Sequence, residues 1–306
     1  MTRDGTVHPL ASAFPDLQTP AEWCSGCGLG IVLQSLLRAV QECALAYPKS
    51  LGLVLSEMGC LGLLSRADKF PGQVVPPGEL LSQAFSLANR NPKRKIILLA
   101  SEADVLVGGW AAVLPGRPGL GRRRSQSLQE MKSVGHEADR QLRNPLGGDS
   151  LGEEESWAES GPQVNVAQLQ GHVVTLYINS GLLSLFNHPR RQIPWPGEGE
   201  KEIVQVANLP AEASRRGAVS ASRWTPLHVR RLTLALKQTL QGRPGFHFLE
   251  IMSPCLLIWA DKEKLGAVVE RMEWLKTSCE ILPQASATEM TLEPGSKIAV
   301  GFLQKD

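Results

Sequence analysis

The chain of 306 residues has no surplus of either charge: 32 Lys and Arg stand against 30 Asp and Glu, for a net +2 with histidine neutral. A nucleic-acid binder that works by bulk electrostatics needs a basic excess, so no nucleic-acid partner is expected. Long apolar runs are also missing. Stretches such as IILLA at 96–100 are far too short to span a bilayer, and no membrane partner is expected. Residues 1–20 hold no basic-then-apolar signal pattern, which points to a soluble, cytoplasmic protein. Cysteine is sparse. Six thiols in a chain of this size and compartment read as reduced cysteines, metal ligands or buried fillers, not as a disulfide framework.

What is present suits a globular protein. The chain is long enough to bury most of its surface without disulfide staples. Its 29 glycines and 21 prolines exceed the average share, so many tight loops are expected. Pro9, Pro15 and Pro20 make residues 1–20 an extended lead-in, and residues 21–306 are read as a single α/β domain. Residues 28–47 space Ile31, Leu33, Leu36, Leu37, Val40 and Leu45 as a helix does. A buried strand over 51–55, an amphipathic helix over 78–90 and a buried strand around 96–100 follow. Residues 116–161 differ: RRR at 122–124, EEE at 153–155, abundant Gly, Pro, Ser and Gln, and no apolar period. They are read as a mobile insertion.

Order returns with a strand over 173–178. A helix follows, with Thr225 as N-cap, Pro226 at its first position and Gly242 beyond its end. Next come a strand over 245–252 and a helix over 262–277. Strands alternating with helices predict an α/β fold built on a mainly parallel sheet flanked by helices. Ligands of such sheets bind beyond the carboxyl ends of the strands. Four strand ends carry polar or cysteine-bearing turns, SEMGC, SEAD, NSG and SPC, so chemistry is expected along that edge.

Cys24 and Cys27 form a C-x-x-C in which Gly26 and Gly28 permit tight turning, while Cys60 and Cys255 close two strand-end loops. Four thiolates converging there would suit Zn²⁺ or an iron–sulfur cluster. Thioredoxin-like redox chemistry and a structural zinc in a binding module compete with that reading. Cys43 and Cys279 fall in expected helices and read as small buried hydrophobes. His172, His188, His228 and His247 show no metal spacing, and Arg122 to Arg124 read as solvated charge.

The segment EWCSGCGLGIVLQSLLRAV resembles the opening of the β subunits of 2-oxoacid:ferredoxin oxidoreductases, which enter a helix through Trp-Cys-Pro-Gly-Cys-Gly. The resemblance continues through SEMGC, GELLSQAFSLANRNPKRKIILLASEADVLVGGW, VVTLYINSGLLSLF and GFHFLEIMSPC, and spans roughly residues 20–260 without the insertion. It implies a thiamine diphosphate-binding fold with a [4Fe–4S] cluster on Cys24, Cys27, Cys60 and Cys255. The family's Gly-Asp-Gly-Asp motif corresponds to Ser101-Glu102-Ala103-Asp104, followed by Gly108 and Gly109 under the diphosphate. Its Asn-Asn motif corresponds to Asn179 and Ser180, with the Leu182 carbonyl completing a Mg²⁺ site that includes Glu102 and Ser180.

The departures are specific. Glu102 carries its carboxylate on a longer arm than Asp, and Mg²⁺ demands near-ideal octahedral geometry. Ser101 and Ala103 add Cβ atoms where glycines let backbone approach. Pro77-Gly78-Glu79 stands where the family typically has His-Gly-Arg. The resemblance implies thiamine diphosphate-dependent oxidative decarboxylation of a 2-oxoacid, or its reverse. Coenzyme A would accept the acyl group, and electrons would pass through the cluster to ferredoxin. It also implies an α-type partner subunit that completes the site. The alternative from the altered motifs is a degenerate paralogue that keeps the cluster, lacks thiamine chemistry, and serves as an electron-transfer or structural subunit.

Overall fold

A computed structural model describes residues 27–45, 49–56, 60–62, 72–76, 79–101, 166–180, 208–253, 267–292 and 296–304. The elements in chain order are α1 (Leu29–Glu42), β1 (Leu51–Ser56), β2 (Gln73–Val75), α2 (Leu80–Arg90), β3 (Lys95–Ser101), β4 (His172–Asn179), α3 (Leu209–Arg215), β5 (Ser220–Trp224), α4 (Val229–Gln241), β6 (Gly245–Met252), α5 (Ala267–Ser278), β7 (Cys279–Ala285) and β8 (Ile298–Leu303). The strands form one eight-stranded sheet in the order β2-β1-β3-β4-β6-β5-β8-β7. Every pairing from β2 through to β5 is parallel. β8 runs antiparallel to β5, and β7 is parallel to β8. The expected α/β class with a mainly parallel, helix-flanked sheet is therefore the observed one.

The central strands are apolar on both faces because both faces are covered. Side chains alternate along each strand, so β3 sends Ile97 and Leu99 to one core and Ile96, Leu98 and Ala100 to the other. The first core is closed by α1, through Leu29, Val32, Leu33 and Leu36, and by α4, through Leu232, Leu236 and Leu240. The second is closed by α2, through Leu80, Leu81, Ala84 and Phe85, and by α3, through Leu209 and Ala213. In each longer helix the buried residues recur at three and four, the period that turns one stripe toward the sheet.

Several boundaries differ from expectation for identifiable reasons. α1 ends at Glu42, not near residue 47. The Leu45 N–H donates to the Val40 carbonyl at 3.1 Å and the Ala44 N–H to the Gln41 carbonyl at 3.0 Å, with Ala44 at φ 53°. This is a Schellman closure built on alanine, so the glycine that usually marks such an end is missing. Cys43 is the C-cap and packs partly buried against the core, not inside a helix. Thr225 does cap, but its Oγ1 accepts from the Leu227 N–H at 3.2 Å to start a 3₁₀ turn over Pro226–His228, and α4 begins at Val229.

Cys279 opens β7 instead of lying in a helix. That strand breaks register between Ile281 and Gln284, around Pro283, which has no N–H for a ladder; at the sheet's edge this is tolerated. α3 was not anticipated. It is short, capped by the Asn208 side chain, which accepts from the Ala211 N–H at 3.2 Å. No helix among the described residues is long and apolar enough to cross a membrane. The 116–161 insertion and the 1–20 lead-in lie outside the described residues.

Candidate functional site

Parallel pairing brings the carboxyl ends of β1, β3, β4, β6 and β5 to one edge of the sheet. Ser101 at the end of β3 is in register with Ile178, and Asn179 at the end of β4 with Met252 of β6. Beyond the ladder, the Ser253 N–H donates to the Asn179 carbonyl at 2.8 Å. The chain leading to Cys255 is thus tied to the end of β4. The strands that precede SEMGC, SEAD, NSG and SPC, namely β1, β3, β4 and β6, thus end on the same side of the sheet, while most residues of those turns lie outside the described residues.

The start of α1 meets that edge. A Cβ at Gly28 would stand 2.3 Å from Pro226 Cγ and 2.6 Å from Ser253 Oγ, so only a residue without a side chain fits there. Cys27 immediately precedes this contact and packs partly buried against the first core. Cys60, after β1, is exposed, whereas its neighbour Leu61 is buried in that same core. Leu29, Leu61, Leu99 and Ile178 line one small apolar void. Each lies within two residues of Cys27, Cys60, Ser101 or Asn179, although the Asn179 side chain itself faces the opposite side of the sheet, the side of Tyr177. Neither Cys27 nor Cys60 is in a disulfide.

Cys24, Cys255, Glu102, Ala103, Asp104, Gly108, Gly109 and Leu182 lie outside the described residues, as do Pro77, Gly78 and Arg122 to Arg124. Glu79 is described. It is exposed and stands just ahead of α2, with its backbone carbonyl accepting from Ser82 Oγ at 2.9 Å. Among the described residues no group of three or more His, Cys, Asp or Glu side chains is placed to hold a metal ion.

The residues that sequence reasoning missed are charged and wholly buried. Glu250 of β6 and Arg223 of β5 are each 0% exposed. Arg223 Nε donates to Glu250 Oε2 at 2.6 Å, and Asn179 Nδ2 donates to Glu250 Oε1 at 2.7 Å. Arg223 Nη1 also donates to the Met290 carbonyl at 2.6 Å. The three side chains share one face of the sheet near its carboxyl edge. The available signal was a carboxylate inside GFHFLEIM, a run otherwise reading as central strand, because an unpaired charge there would cost several kcal/mol, on the order of the penalty for a broken buried pair.

No protein-family model matches the chain. Over 257 residues it is 23% identical to the 2-oxoglutarate synthase subunit KorB of Methanothermobacter marburgensis, covering 84% of this chain and 73% of the relative. Over 114 residues it is 30% identical to the 2-oxoacid:ferredoxin oxidoreductase 2 subunit beta of Aeropyrum pernix, covering 36% of each chain. At these low identities the chain is similar to 2-oxoacid:ferredoxin oxidoreductase β subunits. Its fold agrees with a solved 2-oxoglutarate:ferredoxin oxidoreductase from Magnetococcus marinus. That structure, which has 2-oxoglutarate, coenzyme A and succinyl-CoA bound, matches with a TM-score of 0.58 at 14% identity, over 99% of this chain and 86% of that one.

Proposed function

We propose that this chain is the β-type subunit of a cytoplasmic 2-oxoacid:ferredoxin oxidoreductase. It would bind thiamine diphosphate with Mg²⁺ and a [4Fe–4S] cluster at the carboxyl edge of the sheet. One observation carries the reading. The residue after Cys27 sits against Ser253, two residues ahead of Cys255, and Ser253 is bonded to Asn179. These contacts support the reading by bringing the segment after Cys27, the end of β6 ahead of Cys255 and the end of β4 together.

The donor chemistry fits both groups. Iron–sulfur clusters are held by thiolates, and Cys24, Cys27, Cys60 and Cys255 would supply them. The missing side chain at Gly28 lets the start of α1, next to Cys27, pack directly on Pro226 and Ser253. Mg²⁺ prefers hard oxygen ligands, which Glu102, Ser180 and the Leu182 carbonyl would provide. Ala103, Asp104, Gly108, Gly109 and Asn179 would flank the diphosphate. Thiamine diphosphate, when bound, supplies the electron sink that lets a 2-oxoacid lose CO₂. The protein's share is to hold that group in register with the cluster, to keep water from it, and to fix the metal's oxygens. An α-type subunit would complete the site, with coenzyme A accepting the acyl group and ferredoxin the electrons.

The test is the cofactor content of the native complex, isolated anaerobically through this chain. Stoichiometric thiamine diphosphate together with iron and acid-labile sulfide is expected. Iron and sulfide without thiamine diphosphate would instead establish the cluster-bearing subunit without thiamine chemistry, the reading that Ser101-Glu102-Ala103-Asp104 favours. Zinc without sulfide would refute both.

A further inference from the structure

The buried Arg223–Glu250–Asn179 chain is not explained by stability. Taking a guanidinium and a carboxylate out of water costs as much as their attraction returns, and apolar residues of similar volume commonly do as well or better. Here the arrangement carries an additional cost. Arg223 Nη2 is buried without a hydrogen-bond partner. What the network does accomplish is orientation. A carboxylate only accepts hydrogen bonds, so the Asn179 carboxamide must face Glu250 with its nitrogen. Glu250 is in register with Tyr177, two residues deeper than Asn179 along β4. The amide nitrogen is therefore held toward the sheet interior, and Oδ1 is turned away from it, at the point where β4 passes into Ser180.

We propose that Glu250, braced by Arg223, is the positioning residue that fixes the Asn179 carboxamide for binding of the diphosphate–Mg²⁺ group. This rests on the functional reading above. Arg223 contributes by holding the carboxylate in place from β5, with its own guanidinium anchored on the Met290 carbonyl. Glu250 touches no reacting atom; it acts through Asn179.

The experiment measures the affinity of the anaerobic complex for thiamine diphosphate with Mg²⁺, by calorimetry, for wild type, Glu250→Gln, Asn179→Ala and the double variant. Glu250→Gln can present either end of its amide, so Asn179 loses its fixed orientation. The expected weakening is about tenfold or more, the range typical of partners that orient a ligand. In the Asn179→Ala background the Glu250→Gln change should weaken binding no further. A merely structural role would lower the melting temperature in both backgrounds and leave the affinity of folded protein unchanged. Unchanged affinity, or a loss that persists undiminished without the Asn179 amide, overturns the inference alone. No uptake by wild type overturns the functional reading and this inference with it. Should Glu250→Gln fail to fold, the charge-neutral pair Arg223→Met/Glu250→Gln carries the same test.

Discussion

Acid should weaken this fold through one buried histidine, by an amount the structure sets. His172 opens β4, is 2% exposed, and stacks on His247 with ring centroids 4.6 Å apart. His247 is bonded at both nitrogens, to Ser220 Oγ at 2.8 Å and to the Arg243 carbonyl at 3.0 Å. Neither nitrogen of His172 has a well-formed hydrogen bond. Burial pushes the His172 pKa down from 6.5 to about 3, with His247 and Lys95 adding in the same direction and the Thr239 backbone offsetting a small part. The unfolded chain takes up this proton near pH 6.5 and the folded chain only near pH 3. Stability from this group is therefore complete above pH 6.5 and is lost as pH falls toward 3.

The slope is about 1.4 kcal/mol per pH unit, so lowering pH from 7 to 5 should cost about 2 kcal/mol at this site. Carboxylates elsewhere also titrate in acid, so the informative quantity is a difference. His172→Phe keeps a flat ring of similar size against His247 and removes the proton site. Urea unfolding of both proteins across this range should show the variant gaining about 2 kcal/mol relative to wild type by pH 5. A gap that stays constant across the range would mean that His172 is not held neutral, and the argument from burial would fail.

Further outcomes follow from the same geometry. Gly28→Ala places a Cβ 2.3 Å from Pro226 Cγ, so α1 must shift at its start. The expected result is loss of iron and sulfide from the anaerobic complex with the helix content retained, and full cluster content by iron and sulfide assay would refute it. Burial raises the Cys279 thiol to about 12, so it is protonated at ordinary pH and should resist alkylation in the native state. Peptide mapping after native iodoacetamide treatment that finds Cys279 fully modified would contradict this.

The parts of the fold that were legible are the ones whose burial is local. β1, β3, β4 and β6 read as apolar runs because both their faces are covered, and α1, α2 and α4 read as stripes because one face is. Elements that depend on distant partners were not legible. β5 carries a serine-rich SASRW sequence with a full charge in it, and β7 is interrupted by Pro283. The candidate site divides the same way. Its cysteines and strand-end turns stand out by residue type and spacing. The close contact at Gly28, by contrast, needs the 226 and 253 segments to arrive from elsewhere in the chain.

Glu250 is the instructive residue. Within GFHFLEIM it was visible as a charge where a central strand should have none, and that alone implies a cation opposite. What could not be read was which cation, because β5 precedes β6 in the chain yet lies outside it in the sheet, so that Arg223 comes into register with Glu250 only once the strand order is known. A buried charge in a parallel strand is thus a local signal with a non-local answer. Here the answer connects an arginine two strands away to an asparagine at the edge where the chemistry is proposed.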